Sequence, residues 1–235
     1  MKLATLLAAA VWAVMSFTSV SEAAQNMNAL NAKQQSIVTI SAFGATGDLD
    51  KLKSSLNEGL DAGLTVNEIK ELLVQLYAYA GFPRSLNAIT TFQAVVDERK
   101  ARGVTDVMGR EPSPFPTGRS SLEFGTENQT KLIGQPVGGG IYDFVPAIDQ
   151  FLKAHLFGDI FQRDNLDWQS RELATIAILA SIDGLNPQLQ GHMGIGMYNG
   201  LTADQLRATA TLLSEKLGKR YRDNASEVLA KALSR

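Results

Sequence analysis

The sequence predicts an all-α protein made of two tandem copies of one helical unit. Three observations support this: the chain matches itself at an offset of 137 positions, apolar residues recur at helical spacing, and no stretch sustains the alternation of a β-strand. The matching positions are mostly turn and packing residues, so the two copies are expected to form a pseudo-two-fold repeat. They pair Gly63-Leu64-Thr65 with Gly200-Leu201-Thr202, Gly47 with Gly184, Leu52 with Leu189, Gly59 with Gly196, Gly81 with Gly218, and Asn87-Ala88 with Asn224-Ala225.

The chain begins with a segment typical of a secretory signal peptide. Lys2 precedes an apolar run over residues 3–14, and Ser21-Glu22-Ala23 offers small residues at the positions that a signal peptidase requires. This pattern predicts removal of residues 1–23 and a periplasmic or secreted protein without a stable membrane anchor. The alternative is an uncleaved N-terminal anchor, because residues 3–20 carry no charge and approach the length that spans a bilayer.

Each unit is predicted to contain a helix, a turn, a second helix, a capped third helix and, after a break, a fourth. The first unit covers residues 30–98 and the second covers residues 141–235. Residues 99–140 between them are rich in Gly, Pro and Ser, which predicts a connector. An additional helix is predicted from Asp143 to Asp164, ahead of the helices that repeat the first unit.

The third helix of each unit has a strong start signal. Gly63 and Gly200 suit a helix C-terminus, where the backbone angle φ must be positive. Thr65 and Thr202 follow as N-caps. Glu68 stands three residues after Thr65, and a glutamine holds the same place after Thr202, so both helices are predicted to begin with a capping box.

Composition excludes several classes of function. The formal net charge of −2 gives no electrostatic reason to expect a nucleic acid partner. The chain has no cysteine, which excludes disulfides and thiol chemistry. Its two histidines have no metal-binding spacing, and no dinucleotide or phosphate-binding motif occurs, so no metal or cofactor is expected.

The strongest site candidates lie in the second unit. His192 falls early in its second helix, and Arg171 and Glu172 open its first helix. Histidine is the side chain best suited to proton transfer near neutral pH, and Glu172 can orient it. The alternatives are a packed core histidine and an acid that complements the helix dipole. The offset of 137 aligns these three residues with groups that do not ionise, namely Gln34, Gln35 and Ser55.

Simple hairpin geometry does not by itself guarantee direct contact between His192 and Glu172. If the two helices turn near Leu185, His192 lies opposite Ile178, and Glu172 is then about 9 Å further along at about 1.5 Å per residue. A water molecule, a helix kink or another subunit would have to bridge that distance.

Several segments resemble the carboxymuconolactone decarboxylase and alkylhydroperoxidase-D-like superfamily. In the first unit, residues 63–88 read GLTVNEIKELLVQLYAYAGFPRSLNA, and in the second, residues 171–206 read RELATIAILASIDGLNPQLQGHMGIGMYNGLTADQL. The resemblance covers about two thirds of the chain that follows the signal peptide. It implies that both units have the alkylhydroperoxidase-D-like helical fold and that the first is a degenerate copy.

The resemblance also implies site roles. His192 and Glu172 are expected to be catalytic. Arg171, whose planar guanidinium can hold a substrate carboxylate, is a predicted substrate contact together with His155 and Tyr198. The alternatives are an intrahelical or surface ion pair for Arg171 and a packing or surface position for His155. The peroxidase branch of the superfamily uses a Cys-x-x-Cys pair, so the absence of cysteine excludes its mechanism here.

Two functions remain open from the sequence. The first is a cofactor-free lyase, or a related acid–base enzyme, acting on a small carboxylated or lactone substrate. The second is a non-catalytic exported protein that binds a small apolar ligand or a protein partner, with Met193, Met197 and Tyr198 lining its pocket. Single-unit relatives pack into trimers or hexamers, which implies a homo-oligomer here and favours three chains.

Overall fold

In the computed structural model, the structure describes residues 29–234, and every regular element in that range is a helix. The predicted signal peptide therefore lies outside the described residues. No helix between residues 29 and 234 is both long enough and apolar enough to cross a bilayer. The first unit consists of four consecutive helices: α1 (Ala32–Thr46), α2 (Leu49–Asp61), α3 (Val66–Ala80) and α4 (Phe82–Ala101).

The connector contains structure that the sequence analysis did not predict. Helix α5 spans Ser121–Ile133, inside the Gly/Pro-rich segment. The single helix predicted from Asp143 to Asp164 is wrong, because Pro146 has no N–H to continue it. The observed elements are α6 (Ile141–Phe144), α7 (Pro146–Phe151) and a π-helix (Leu152–Ile160) that continues directly from α7.

The second unit repeats the order of the first. Its helices are α8 (Trp168–Ala180), α9 (Asn186–Tyr198), α10 (Ala203–Leu217) and α11 (Lys219–Leu233). Helices α9, α10 and α11 start 137 positions after α2, α3 and α4, as the repeat predicts. Helix α8 differs, because its N-cap Asp167 follows the N-cap Asn31 of α1 by 136 positions. The second unit therefore has one extra residue between the N-cap of its first helix and the start of its second helix.

Both predicted capping boxes are present. The hydroxyl of Thr65 accepts a hydrogen bond from the backbone N–H of Glu68, whose carboxylate accepts one from the backbone N–H of Thr65. Thr202 and Gln205 make the same reciprocal pair. The preceding glycines have positive φ, 91° at Gly63 and 98° at Gly200. These local signals fix where α3 and α10 begin.

The main hydrophobic core joins the two units. Helices α1 and α8 pack against each other at its centre, with residues 36–45 of α1 and 171–180 of α8 buried. The third helix of each unit packs against the first helix of the other unit: α3 contacts α8, and α10 contacts α1. This reciprocal packing is the pseudo-two-fold relation that the repeat predicts. The third helix of one unit therefore completes the surroundings of the first helix of the other.

A second, smaller core is built from α5 and the π-helix. A side chain on Gly125 would meet the backbone carbonyl of Lys153, and one on Gly158 would meet that of Ser121, so these two helices touch backbone to backbone. Leu132, Phe157 and Phe161 fill this core, and Tyr77, Tyr79, Trp168 and Ile195 from the two units pack against it.

Candidate active site

The structure brings His192 and Glu172 into direct contact. Nδ1 of His192 on α9 lies 2.8 Å from Oε2 of Glu172 on α8. The Glu172 side chain is fully buried, and the His192 side chain is 14% exposed to solvent. Within residues 29–234, Nε2 of His192 has no hydrogen-bond partner and is not enclosed. The pair therefore consists of a buried carboxylate and an imidazole whose second nitrogen reaches solvent.

Close approach of α8 and α9 makes this contact, and it corrects the gap expected from simple hairpin geometry. Gly196 lies one turn after His192 and faces α8. A Cβ atom added there would be 3.7 Å from Cβ of Glu172 and 3.1 Å from Cδ1 of Ile176. Because Gly196 has no side chain, the helices come close enough for Glu172 to reach the imidazole without a bridging water.

Tyr79 is a site residue that the sequence analysis missed. It comes from α3 of the first unit, and its ring meets the His192 ring edge-on, with 5.6 Å between centroids. Burial, and next the negative charge of Glu172, raise the pKa of the Tyr79 hydroxyl, so it stays protonated. Tyr79 was visible within the quoted α3 segment, but its proximity to His192 depends on packing between the units.

Two buried polar atoms at the site lack partners among the described residues. They are Oε1 of Glu172 and the hydroxyl oxygen of Tyr79. Buried polar atoms are normally hydrogen-bonded, so each unsatisfied one needs an explanation, and a catalytic role is one such explanation. One is an acceptor and the other carries a proton, so the site retains both kinds of hydrogen-bonding capacity.

Arg171 does not extend into this site. Its guanidinium is fully buried and donates to Oε2 of Glu71 at 3.0 Å, to Oε1 of Gln75 at 3.0 Å and to the backbone carbonyl of Arg163 at 2.7 Å. Gln75 in turn donates to the backbone carbonyl of Arg171 and to the Thr175 hydroxyl. We therefore revise the prediction that Arg171 holds a substrate anion, because its charge is already used to join α3 to α8.

Glu71 is the acidic centre of this buried network. Arg163 and Arg171 both donate to its carboxylate, and Asn165 lies at 3.3 Å. Burial by itself would raise the pKa of Glu71, but the hydrogen bonds from Arg163 and then Arg171 outweigh it and lower the pKa below its ordinary value. Glu71 is therefore ionised and neutralised by two cations, one of them fully buried.

The other two predicted substrate contacts lie on the surface. His155 is more than half exposed and pairs with Asp159 one turn along the π-helix, 2.8 Å away. Tyr198 is exposed and lies against Gly134 at the end of α5. Neither residue contacts His192 or Glu172 in the described chain, so both lie outside the candidate site. Met193 is buried in the main core and Met197 packs against it, whereas Tyr198 is exposed, so the three side chains predicted to line one ligand pocket have different surroundings.

The first unit has no equivalent pair. Because α1 and α8 differ by 136 positions, the counterpart of Glu172 is Ser36 and that of Arg171 is Gln35, one residue later in each case than the uniform offset predicted. Ser55 remains the counterpart of His192, and both serines are buried. The corresponding place holds a hollow of about 180 Å³ beside Ser36, and it is bordered by Lys216 of α10, the counterpart of Tyr79 of α3.

Two further cavities lie elsewhere, between α3 and α4. One of about 290 Å³ is bordered by Glu71, Arg163 and Asn165, and one of about 340 Å³ is bordered by Val66 and Met108. They share Lys70, Ile89 and Phe92, so they form one groove with a predominantly apolar lining. Neither includes His192 or Glu172. Across residues 29–234, no group of acidic and histidine side chains is arranged to hold a metal ion.

The protein is a duplicated helical protein: its two units pack their third helices on each other's first helices, and a carboxylate–imidazole pair lies where the units meet. The profile of the carboxymuconolactone decarboxylase family matches this chain at residues 8–94 and again at residues 146–218. The two matches cover more than half of the chain, so it belongs to that family. Comparison with curated proteins returns no match.

Proposed function

We propose that this chain is a cofactor-free acid–base enzyme of the decarboxylase type, acting on a small lactone or carboxylated substrate. One observation carries the proposal: the 2.8 Å contact between Nδ1 of His192 and Oε2 of the buried Glu172. A carboxylate bound to Nδ1 holds the proton on that nitrogen. The free electron pair is then on Nε2, where it can take a proton from substrate.

The surroundings support a division of roles. His192 is the general acid/base, because its Nε2 reaches solvent while its other nitrogen is held. Glu172 orients the imidazole and stabilises the imidazolium that forms when Nε2 accepts a proton. The Tyr79 ring, which is perpendicular to the imidazole, limits its rotation. Arg171 is left out of the mechanism, because all its charge is directed at Glu71 and its neighbours.

A panel of lactones and β-keto acids tests the proposal, with substrate loss and CO₂ release as readouts. His192→Gln should lower turnover by about 10²–10⁴-fold, the usual contribution of general acid–base catalysis. Glu172→Gln should also lower it, because an amide can present an acceptor but no charge to the imidazolium. Ser55→Ala, at the matching position of the first unit, is the control and should retain turnover. Equal turnover of wild type and His192→Gln would rule the proposal out.

The second candidate function is ligand binding without chemistry. The observation in its favour is the apolar groove between α3 and α4, whose size and lining suit a small molecule. Ligand binding to this groove should survive His192→Gln and fail when Ile89 is replaced by Arg. If the panel yields ligands that bind with this pattern but are never turned over, the binding function replaces the enzymatic one.

The export of the chain remains part of the proposal. The N-terminal pattern around Lys2 and Ala23 predicts a periplasmic or secreted protein, and this segment lies outside the described residues. Mass spectrometry of the protein recovered from a bacterial periplasm should give an N-terminus after Ala23. A mass that retains residues 1–23 would favour the anchor alternative.

A further inference from the structure

The groove between α3 and α4 is closed on a third side by the connector. The backbone N–H of Asn67, in the first turn of α3, donates to the backbone carbonyl of Met108 at 2.9 Å. The side-chain amide of Asn67 donates to the carboxylate of Glu111, also at 2.9 Å. Met108 and Glu111 both border the groove, so these contacts build one of its walls. The groove is therefore a walled site and not an open helix face.

The apolar lining of the groove is specific to the first unit. Val74 of α3 and Ile89 of α4 border it. The same positions in the second unit, 137 residues later, carry Thr211 on α10 and Ser226 on α11. Since the helices have the same places in their units, this fold can be built with polar side chains at both positions. The apolar pair in the first unit therefore needs an explanation other than the fold.

Two hydrogen-bonding groups that border the groove have no partner within residues 29–234. Asn165 is 8% exposed, and its Nδ2 lies 3.3 Å from the carboxylate of Glu71, which fixes the orientation of the amide because only its N–H can face an anion. Its Oδ1 is buried and accepts no hydrogen bond. Arg163 donates to Glu71 through Nε and Nη2, whereas its Nη1 has no acceptor and is not enclosed. One free acceptor and one free donor therefore border the same cavity.

The charged side chains that border this cavity balance one another. Lys70 and Arg163 are positive, and Glu71 and Glu111 are negative. Arg171 does not border the cavity, because its guanidinium is enclosed behind Glu71. A charged ligand would lose hydration on entering an apolar groove and would find no surplus of opposite charge at its border. The cavity therefore favours a ligand without a net charge.

We propose, building on the binding function suggested for this groove and independently of the chemistry at His192, that the groove binds a neutral amphiphile through a hydroxyl or primary amide. The hydroxyl donates its proton to Oδ1 of Asn165, and its oxygen accepts a hydrogen bond from Nη1 of Arg163. The hydrocarbon body lies on Ile89 and Phe92, which border both cavities of the groove. A carboxylate has no proton for Asn165, and an ammonium group has no acceptor for Arg163, so both should bind less tightly.

Octanol, octanamide, octanoate and octylammonium form a matched set of probes, because they share one hydrocarbon chain and differ only in the polar group. In titrations followed by ligand-observed NMR, octanol and octanamide should bind wild type at least about tenfold more tightly than the two ions, since each ion leaves a polar group unpaired. Asn165→Leu should weaken octanol binding by about two- to tenfold, the usual contribution of one neutral hydrogen bond, without weakening octanoate binding.

The repeat supplies the variant that tests the apolar lining. Val74→Thr with Ile89→Ser gives the groove the residues that the second unit already carries, and it should weaken all four probes alike. Ser226→Ile, at the matching position of α11, should change none of them. His192→Gln should leave octanol binding unchanged, because His192 does not border the groove.

Each result bears on the proposal. Circular dichroism and the melting temperature verify that every variant is folded. Octanoate that binds as tightly as octanol, or octanol binding that is unchanged in Asn165→Leu, overturns the neutral ligand class but leaves a binding function for the groove. Octanol binding that is lost in His192→Gln and kept in the groove variants overturns the site. If no probe binds wild type, the proposal is wrong, while turnover of the lactone and β-keto acid panel still tests the enzymatic function separately.

Discussion

The fully buried guanidinium of Arg171 donates to the carboxylate of Glu71 at 3.0 Å, and this contact joins the two units of the chain. Glu71 lies on α3 of the first unit and Arg171 on α8 of the second. Arg163 completes the pair from the surface side, 2.7 Å from the same carboxylate. Arg171, which the sequence analysis predicted to bind substrate, therefore stabilises the fold, whereas the adjacent Glu172 belongs to the candidate site.

Removing one partner of this pair should destabilise the chain strongly. Glu71→Gln leaves the Arg171 charge buried without compensation, which typically costs about 3–5 kcal/mol. Urea unfolding followed by circular dichroism measures the loss. Adding Arg171→Met to Glu71→Gln should restore part of it, because the uncompensated charge is then gone. Lys231→Ala breaks the exposed pair with Glu227 and should cost under about 1 kcal/mol. A Glu71→Gln loss as small as this would contradict the structural role.

The free energy of unfolding should decrease at acidic pH because Glu71 becomes protonated. Its pKa is lower in the folded protein than in the unfolded chain, so the folded state binds the proton less tightly. The stabilisation is therefore complete above the unfolded value of about 4.3 and is lost as the pH falls through the folded pKa. Hydrogen bonds from Ser113 lower the pKa of Asp164 to about 2, so Asp164 also contributes stability that is lost in acid. Melting temperatures from pH 7 to pH 2 should show a steeper fall in wild type than in Glu71→Gln. Parallel curves would exclude Glu71 as a cause.

Two glycines on α9 should respond to alanine with opposite signs. A Cβ on Gly196 would lie 2.9 Å from Cδ1 of Leu201, in the main core, so Gly196→Ala should cost about 1–3 kcal/mol through overpacking. A Cβ on Gly194 meets nothing within 4 Å, so Gly194→Ala should stabilise α9 by up to about 1 kcal/mol. Gly196→Ala should also lower turnover, because it separates Glu172 from His192. Equal effects of the two substitutions on stability would show that α8 and α9 do not approach closely.

Tyr79 should act on His192 through its ring rather than its hydroxyl. Tyr79→Leu removes the aromatic edge that limits the imidazole and should lower kcat with little change in KM, while Tyr79→Phe should restore kcat. Tyr77 is the matched control, because its hydroxyl is also buried without a partner in the described chain but its ring contacts Phe82 and His155. Tyr77→Leu should leave kcat unchanged. A loss of kcat in Tyr79→Phe would show that the hydroxyl, rather than the ring, acts on His192.

The sequence by itself determined the features that depend on local chemistry and on the repeat. The capping boxes of Thr65 and Thr202 follow from side chains three residues apart, and the glycines before them follow from backbone conformation. The offset of 137 positions gave the two units and the order of their helices. The absence of cysteine excluded thiol chemistry without any structure.

The tertiary structure decided everything that depends on distances between helices. Whether Glu172 reaches His192 depends on how closely α8 and α9 pack, which Gly196 sets. Whether Arg171 faces substrate or Glu71 depends on α3 crossing between the units, and the same crossing brings Tyr79 to the imidazole. Residues 96 to 113 positions apart in the chain meet in these contacts, as Gln75 meets Arg171 and Tyr79 meets His192. Helical periodicity specifies which side of a helix is buried, but it contains no information on which partner that side will meet.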